Sequence, residues 1–131
     1  MTGNELINLA LKAQKNAYAP YSGFHVGAAL LDADGEVFVG ANVENASFGL
    51  TNCAERSALF SAVSNGKRKF EAIAIVGGKD GEITDFCTPC GACRQALAEF
   101  SKDGKLKVIL FDGERKKELT LASLLPENFS L

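Results

Sequence analysis

At 131 residues, 47% of them hydrophobic and 23% charged, the chain has the length and apolar content of one domain (1–131) with its own core, which excludes a disordered segment. Its net charge is −2, and Lys and Arg are scattered rather than striped, which argues against a nucleic-acid binder. The opening MTGNELINLALKAQ has no basic region ahead of an apolar run, and no apolar run approaches the ~20 residues of a membrane span, so no membrane partner and a cytoplasmic location are expected.

Thr2-x-x-Glu5 has the form of a capping box, and Leu6, Leu9, Ala10, Ala13 and Ala17 recur at helical spacing up to Pro20. An apolar run at 26–31, the turn Asp34-Gly35 and a strand-like segment at 36–40 predict a β-hairpin. Residues 41–52 are polar, carry three asparagines and read as an ordered loop. From Cys53 to Ser64 the pattern is helical, and Asn65-Gly66 ends it. Residues 72–76 read as a buried strand closed by Gly77-Gly78. Pro89 suits the first turn of a helix that runs to about Phe100. A strand is expected at 107–111, a turn at Asp112-Gly113, and a short helix at 120–125 before Pro126. Helices alternating with strands predict a sheet covered by helices.

The four cysteines divide one plus three: Cys53 stands alone, while Cys87, Cys90 and Cys93 cluster. In a reducing compartment such thiols are free, catalytic or metal-bound rather than paired, and a zinc ribbon with two separated CxxC pairs does not fit. Residues three apart share a helix face, so Cys90 and Cys93 can turn their sulfurs to one point, and Cys53 can do so from the start of another helix. Helix N-termini favour thiolates. Three protein ligands leave a tetrahedral zinc one open position, the mark of a catalytic site, where zinc lowers the pKa of water toward neutrality. Glu55, two residues after Cys53, leaves the helix on a neighbouring face and can pass protons beside that position without ligating. Arg56 can donate to the sulfurs and withdraw part of their charge. Spacing alone leaves a closed structural site of all four cysteines open, because Cys87-x-x-Cys90 overlaps Cys90-x-x-Cys93. Such a site leaves Glu55 unexplained, and Cys87 precedes Pro89 outside the expected helix. The favoured set is Cys53, Cys90 and Cys93, with Cys87 a packed thiol.

CAE at 53–55 followed by PCGAC at 89–93 resembles the zinc-dependent cytidine/deoxycytidine deaminase family. YAPYSGFHVGAALL at 18–31, GANVENASFGLTNCAERSAL at 40–59, CTPCGACRQAL at 87–97 and LLPENF near the end extend the resemblance over nearly the whole chain. It is closest in form to the short, homotetrameric class that acts on free nucleosides. The resemblance implies a three-layer α/β/α fold with a mixed central sheet and helices on both faces. It also implies one Zn²⁺ per chain on Cys53, Cys90 and Cys93, with Glu55 as proton shuttle. Asn42 and Glu44 would hold the ribose hydroxyls, Phe24 would pack near sugar and base, and Ala54 would line the site. Ala46, Phe48 and Phe129 would come from neighbouring chains, Phe129 against the base. Position 48, often Tyr in relatives, is Phe48 here. His25, the sole histidine, reads as structural, because Cys53 fills the position where other branches of the family use histidine.

The expected reaction is hydrolysis of cytidine and 2′-deoxycytidine to the uracil nucleosides and ammonia. Three rivals share parts of the pattern. A deaminase of a nucleoside antibiotic such as blasticidin S carries CAE and PCGxCRQ, but the intact NVENA segment favours cytidine. An RNA or DNA deaminase lacks support without a basic stripe. A non-enzymatic four-thiolate module would make Cys87 a structural ligand.

Overall fold

The computed structural model describes residues 1–131. Helix α1 (Gly3–Gln14) opens on Thr2, whose Oγ1 accepts from the Glu5 amide at 3.1 Å and donates to the Glu5 carboxylate at 3.2 Å. This is a variant of the expected capping box, with the carboxylate taking the hydroxyl proton. The helix ends at Gln14 instead of reaching Ala17. There the Gln14 side-chain Nε2 donates to the His25 carbonyl at 2.8 Å, and the Tyr18 backbone amide donates to the Asn42 carbonyl at 2.9 Å. The chain therefore leaves the helix to run beside the segment after the hairpin.

That hairpin pairs β1 (Phe24–Asp32) with β2 (Val37–Ala41), in register from Gly27 opposite Ala41 to Leu31 opposite Val37. Three further strands complete a mixed sheet in the order β2-β1-β3-β4-β5: β3 (Phe70–Lys79), β4 (Lys107–Phe111) and β5 (Lys116–Thr120). Only β3 and β4 run parallel, and a parallel pair needs a crossover, which α3 (Gly91–Ala98) supplies. Helix α2 (Ala54–Ser64) links β2 to β3, and α4 (Leu121–Leu124) follows β5 directly.

Side chains alternate across the strands and build two cores. On one face Ala29, Leu31, Ala74, Val76 and Ile109 meet Leu6, Ile7 and Ala10 of α1. On the other, Ala28, Leu30, Ile73, Ile75, Val108 and Leu110 meet Ala58, Leu59 and Ala62 of α2 and Leu97 of α3. The helices thus cover both faces, as the resemblance implied.

Besides the end of α1, two strands differ from expectation. β3 does not close at Gly77-Gly78 but runs through both to Lys79, because they pair with Val26 and His25 of β1. β5 was not anticipated: KKELT reads as a polar stretch because it is an edge strand with most of its side chains exposed. Running antiparallel to β4 places the first turns of α2 and α3 no differently; what places them is the crossover. α2 leads into β3 and α3 leads out of it, so both helices begin at the end of the sheet where β3 finishes.

Candidate active site

Cys53 and Cys90 are the N-cap residues of α2 and α3, and Cys93 lies in the first turn of α3. Cys90 therefore sits one step ahead of its helix, and Pro89 lies outside the first turn that the sequence suggested for it. The Cys90 sulfur takes the capping role itself, accepting from the Cys93 amide at 3.4 Å. Cys53 Sγ lies 3.7 Å from Cys90 Sγ, and Cys90 Sγ lies 3.3 Å from Cys93 Sγ. All three sulfurs fall within 4.8 Å of one another, and all are free thiols. Tetrahedral Zn–S bonds of about 2.3 Å place sulfurs about 3.8 Å apart, so the trio already has the spacing of a zinc set, too wide for a disulfide near 2.05 Å. Cys87 is not part of this group.

Electrostatics support the same reading. The Cys53 thiol is brought down to about 5, first by its hydrogen bond with Cys93 and further by the Arg56 guanidinium, against the cost of burial. Cys93, fully buried and partner to that thiolate, is held well above the ordinary thiol range. One sulfur is thus ready as an anionic ligand, and a divalent cation would displace the proton from its neighbour. Arg56 Nη2 donates to Cys53 Sγ at 3.3 Å, while its buried Nε has no partner. Glu55 is 4% exposed, and its carboxyl is pushed up to about 7, chiefly by burial and further by the Cys53 charge.

The remaining predicted residues fall in two groups. Asn42 is buried, its Oδ1 accepting from the Val26 amide at 2.9 Å and its Nδ2 donating to the Phe24 carbonyl at 2.8 Å. Glu44 accepts from the Tyr21 and Ser22 amides, both at 3.0 Å, and from the Ser22 hydroxyl. Those bonds hold its carboxyl below the usual carboxylate range, with the Ser22 hydroxyl foremost. Both side chains are therefore fixed by the backbone around β1, yet Asn42 keeps one amide hydrogen and Glu44 a further lone pair. Ala54 is buried in the core, so what it offers is its backbone amide, one of those a first helical turn leaves unpaired. Phe24 is 40% exposed beside this cluster. Ala46, Phe48 and Phe129 lie on the surface, where Phe48 meets Tyr21 edge-on with centroids 6.2 Å apart. The Phe129 carbonyl accepts from Gln95 Nε2 at 3.0 Å, which anchors the tail to α3.

Arg94 went unremarked in the sequence. Its Nε donates to the Pro89 carbonyl and its Nη1 to the Leu124 carbonyl, both at 2.7 Å, bracing the turn that presents Cys90 against the C-terminal segment. An arginine directly after a ligand cysteine is the only signal the sequence offers for it. The largest cavity, about 710 Å³ and lined by Lys69, Phe70, Phe100 and Lys105 among others, lies at the opposite end of the sheet.

A helix-covered mixed sheet thus brings three cysteines and a buried glutamate together at two helix starts, a donor set suited to a catalytic zinc. Residues 2–109 match the family described as the cytidine and deoxycytidylate deaminase zinc-binding region, and the chain belongs to that family. The cysteine trio is thus positioned to bind a zinc ion. The chain is 47% identical to the cytidine deaminase of Sporosarcina psychrophila over 131 residues, 99% of this chain and 93% of that protein. It is 50% identical to the cytidine deaminase of Halalkalibacterium halodurans over 126 residues, covering 95% and 92% of the two chains. The crystal structure of cytidine deaminase from Burkholderia pseudomallei superposes with a TM-score of 0.90 at 50% identity, covering 98% of this chain and all of that one.

Proposed function

We propose that the chain, acting as one domain over 1–131, hydrolyses cytidine and 2′-deoxycytidine to uridine and 2′-deoxyuridine with release of ammonia. The observation that carries this is the Glu55 carboxyl, buried beside the three clustered sulfurs. Cys53, Cys90 and Cys93 would hold a zinc ion, which when bound would supply a Lewis acid and an acidified water beside Glu55. Glu55 takes a proton from the attacking water and places it on N3 of the pyrimidine, which makes C4 electrophilic. The water oxygen bonds to C4, Glu55 carries a second proton to the exocyclic nitrogen, and the C4–N bond breaks as ammonia leaves. A pKa near the working pH suits a group that must both accept and donate. Arg56 moderates the charge of the thiolate set.

Asn42, held by the β1 backbone, and Glu44, held by Tyr21 and Ser22 just before it, present their remaining donor and acceptor to the ribose hydroxyls. Phe24 packs against sugar and base, and Ala54 lines the site through its amide. Phe48 and Phe129, 75% and 70% exposed, are large apolar side chains without a home in one chain. That exposure supports a homotetramer in which Ala46, Phe48 and Phe129 complete neighbouring sites. No helix is long and apolar enough to cross a membrane. A cytoplasmic role in pyrimidine salvage fits the reaction.

The test is ammonia release from cytidine by the zinc-loaded protein, with Glu55→Gln alongside. The parent should turn over, and the variant should keep its zinc while losing at least ~10³-fold in rate. Equal rates would sink the shuttle, and a folded, zinc-loaded parent that releases no ammonia would sink the reaction.

A further inference from the structure

Gly77 lies opposite Val26 in the β1–β3 register, on the sheet face that α2 and α3 cover. Its φ is outside the left-handed region, so backbone conformation does not call for glycine there. A glycine inside a strand weakens it and commonly marks a close approach by something else. Here the approach is by side chains. A Cβ at 77 would stand 2.7 Å from Cys87 Sγ, 3.1 Å from Cys87 Cβ and 3.0 Å from Phe24 Cε2. The absent methyl is the space in which the sulfur and the ring both meet the strand.

Cys87 needs a role, because it stands outside the zinc set. Its thiol is pushed up to about 12, chiefly by burial and then by the Glu55 charge, so it packs as a neutral group at the edge of the site. It belongs to the apolar cluster beneath α2 and α3, whereas Phe24 is partly exposed and has room to move outward.

We propose that Gly77 and Cys87 are positioning residues that together seat the Phe24 ring, so that side-chain volume at 77 and 87 sets how the ring meets the nucleoside. This rests on the deaminase reading above. Neither residue takes part in proton transfer, so their influence falls on substrate affinity rather than on the chemical step.

The experiment combines Gly77→Ala, Cys87→Ala and Phe24→Ala in steady-state kinetics on cytidine with NMR of ring-labelled phenylalanine. Gly77→Ala should raise KM roughly 10-fold with kcat within about twofold, the size of one well-placed aromatic contact. Adding Cys87→Ala should bring KM back toward the parent value, because it removes the 2.7 Å contact with Sγ, the tightest of the three, and gives strand and ring room to relax. In the Phe24→Ala background, Gly77→Ala should add nothing. The Phe24 resonances should shift in Gly77→Ala and return in the double variant. Unchanged KM and ring resonances in Gly77→Ala, or effects additive with Phe24→Ala, would overturn the proposal. Should Gly77→Ala not fold, Cys87→Ala decides: it must shift the Phe24 resonances and alter KM only while Phe24 is present. The ring readout needs no turnover, so a parent inactive on cytidine would refute the reaction and leave this seat to stand or fall on the NMR.

Discussion

Gly40 offers a test of how the sheet positions the chemistry. It sits in β2 beneath the first turns of α2, and a Cβ there would lie 2.5 Å from both the Ala54 carbonyl oxygen and the Ser57–Ala58 peptide at the Ala58 nitrogen. The obstacles are helix backbone, which has no rotamer to escape into. Carbon and oxygen meet without repulsion at about 3.3 Å, so Gly40→Ala must push the helix start away by roughly 0.8 Å. Overpacking of this kind costs about 1–3 kcal/mol. For a chain of 131 residues, a melting entropy of about 2.1 cal/mol/K per residue converts this to a fall in Tm of ~4–11 °C. Ala54 stands between Cys53 and Glu55, so the same displacement shifts ligand and shuttle relative to α3. Misplacement on the 1 Å scale costs on the order of 10²-fold in rate. Differential scanning calorimetry and ammonia release should show both losses together. A Gly40→Ala protein with the parent's Tm and turnover would refute the claim that contact with β2 fixes the helix start.

Arg56→Ala should lower zinc affinity or turnover by roughly 10–100-fold, as loss of a donor to a ligand does; unchanged zinc content and unchanged rate would leave Arg56 without a role at the metal. Cys93→Ser should lose bound zinc while Cys87→Ser keeps one per chain, and metal analysis showing the reverse would overturn the ligand set. Lys67 Nζ lies 3.1 Å from Asp32 Oδ2 and 3.2 Å from Glu36 Oε1, tying the hairpin to the start of β3. Burial works against the Asp32 charge, but the Glu36 amide and Lys67 prevail and hold its carboxyl below the usual range. The stability this brings is present above the ordinary carboxylate pKa of about 3.9 and is lost as pH falls through the lower folded value. Lys67→Met should therefore melt lower than the parent at neutral pH, with the gap closing on acidification. A gap independent of pH would refute the ion pair as its cause.

The metal trio and its glutamate were legible because the sequence carries them as local spacing: Cys53 with Glu55, Cys90 with Cys93. The starts of α1 and α2 and the hairpin turn were legible for the same reason, since capping and turn chemistry act over a few residues, whereas Pro89 misplaced the start of α3. Asn42 and Glu44 were legible only through resemblance. Nothing local to them foretells that backbone of β1 would fix the Asn42 side chain and the Tyr21 and Ser22 amides just before it the Glu44 carboxylate, which is a long-range outcome of the Tyr18–Val43 bridge. Gly77 was misread as a strand end because a glycine pair usually terminates a strand, and its purpose depends on a sulfur that arrives from ten residues downstream. β5 escaped notice because an edge strand on the far side of the sheet needs no apolar alternation to pair with β4.

The crossover that makes β3 and β4 parallel has a consequence for folding. Cys53 precedes β3 and Cys90 follows it, so their sulfurs meet only after β3 has paired with β1 and α3 has swung over the sheet. Parallel pairing across a crossover is a non-local event, slow by comparison with helix and hairpin formation. The complete set of three sulfurs is therefore a property of the folded sheet and its crossover, and no fragment ending before α3 contains it.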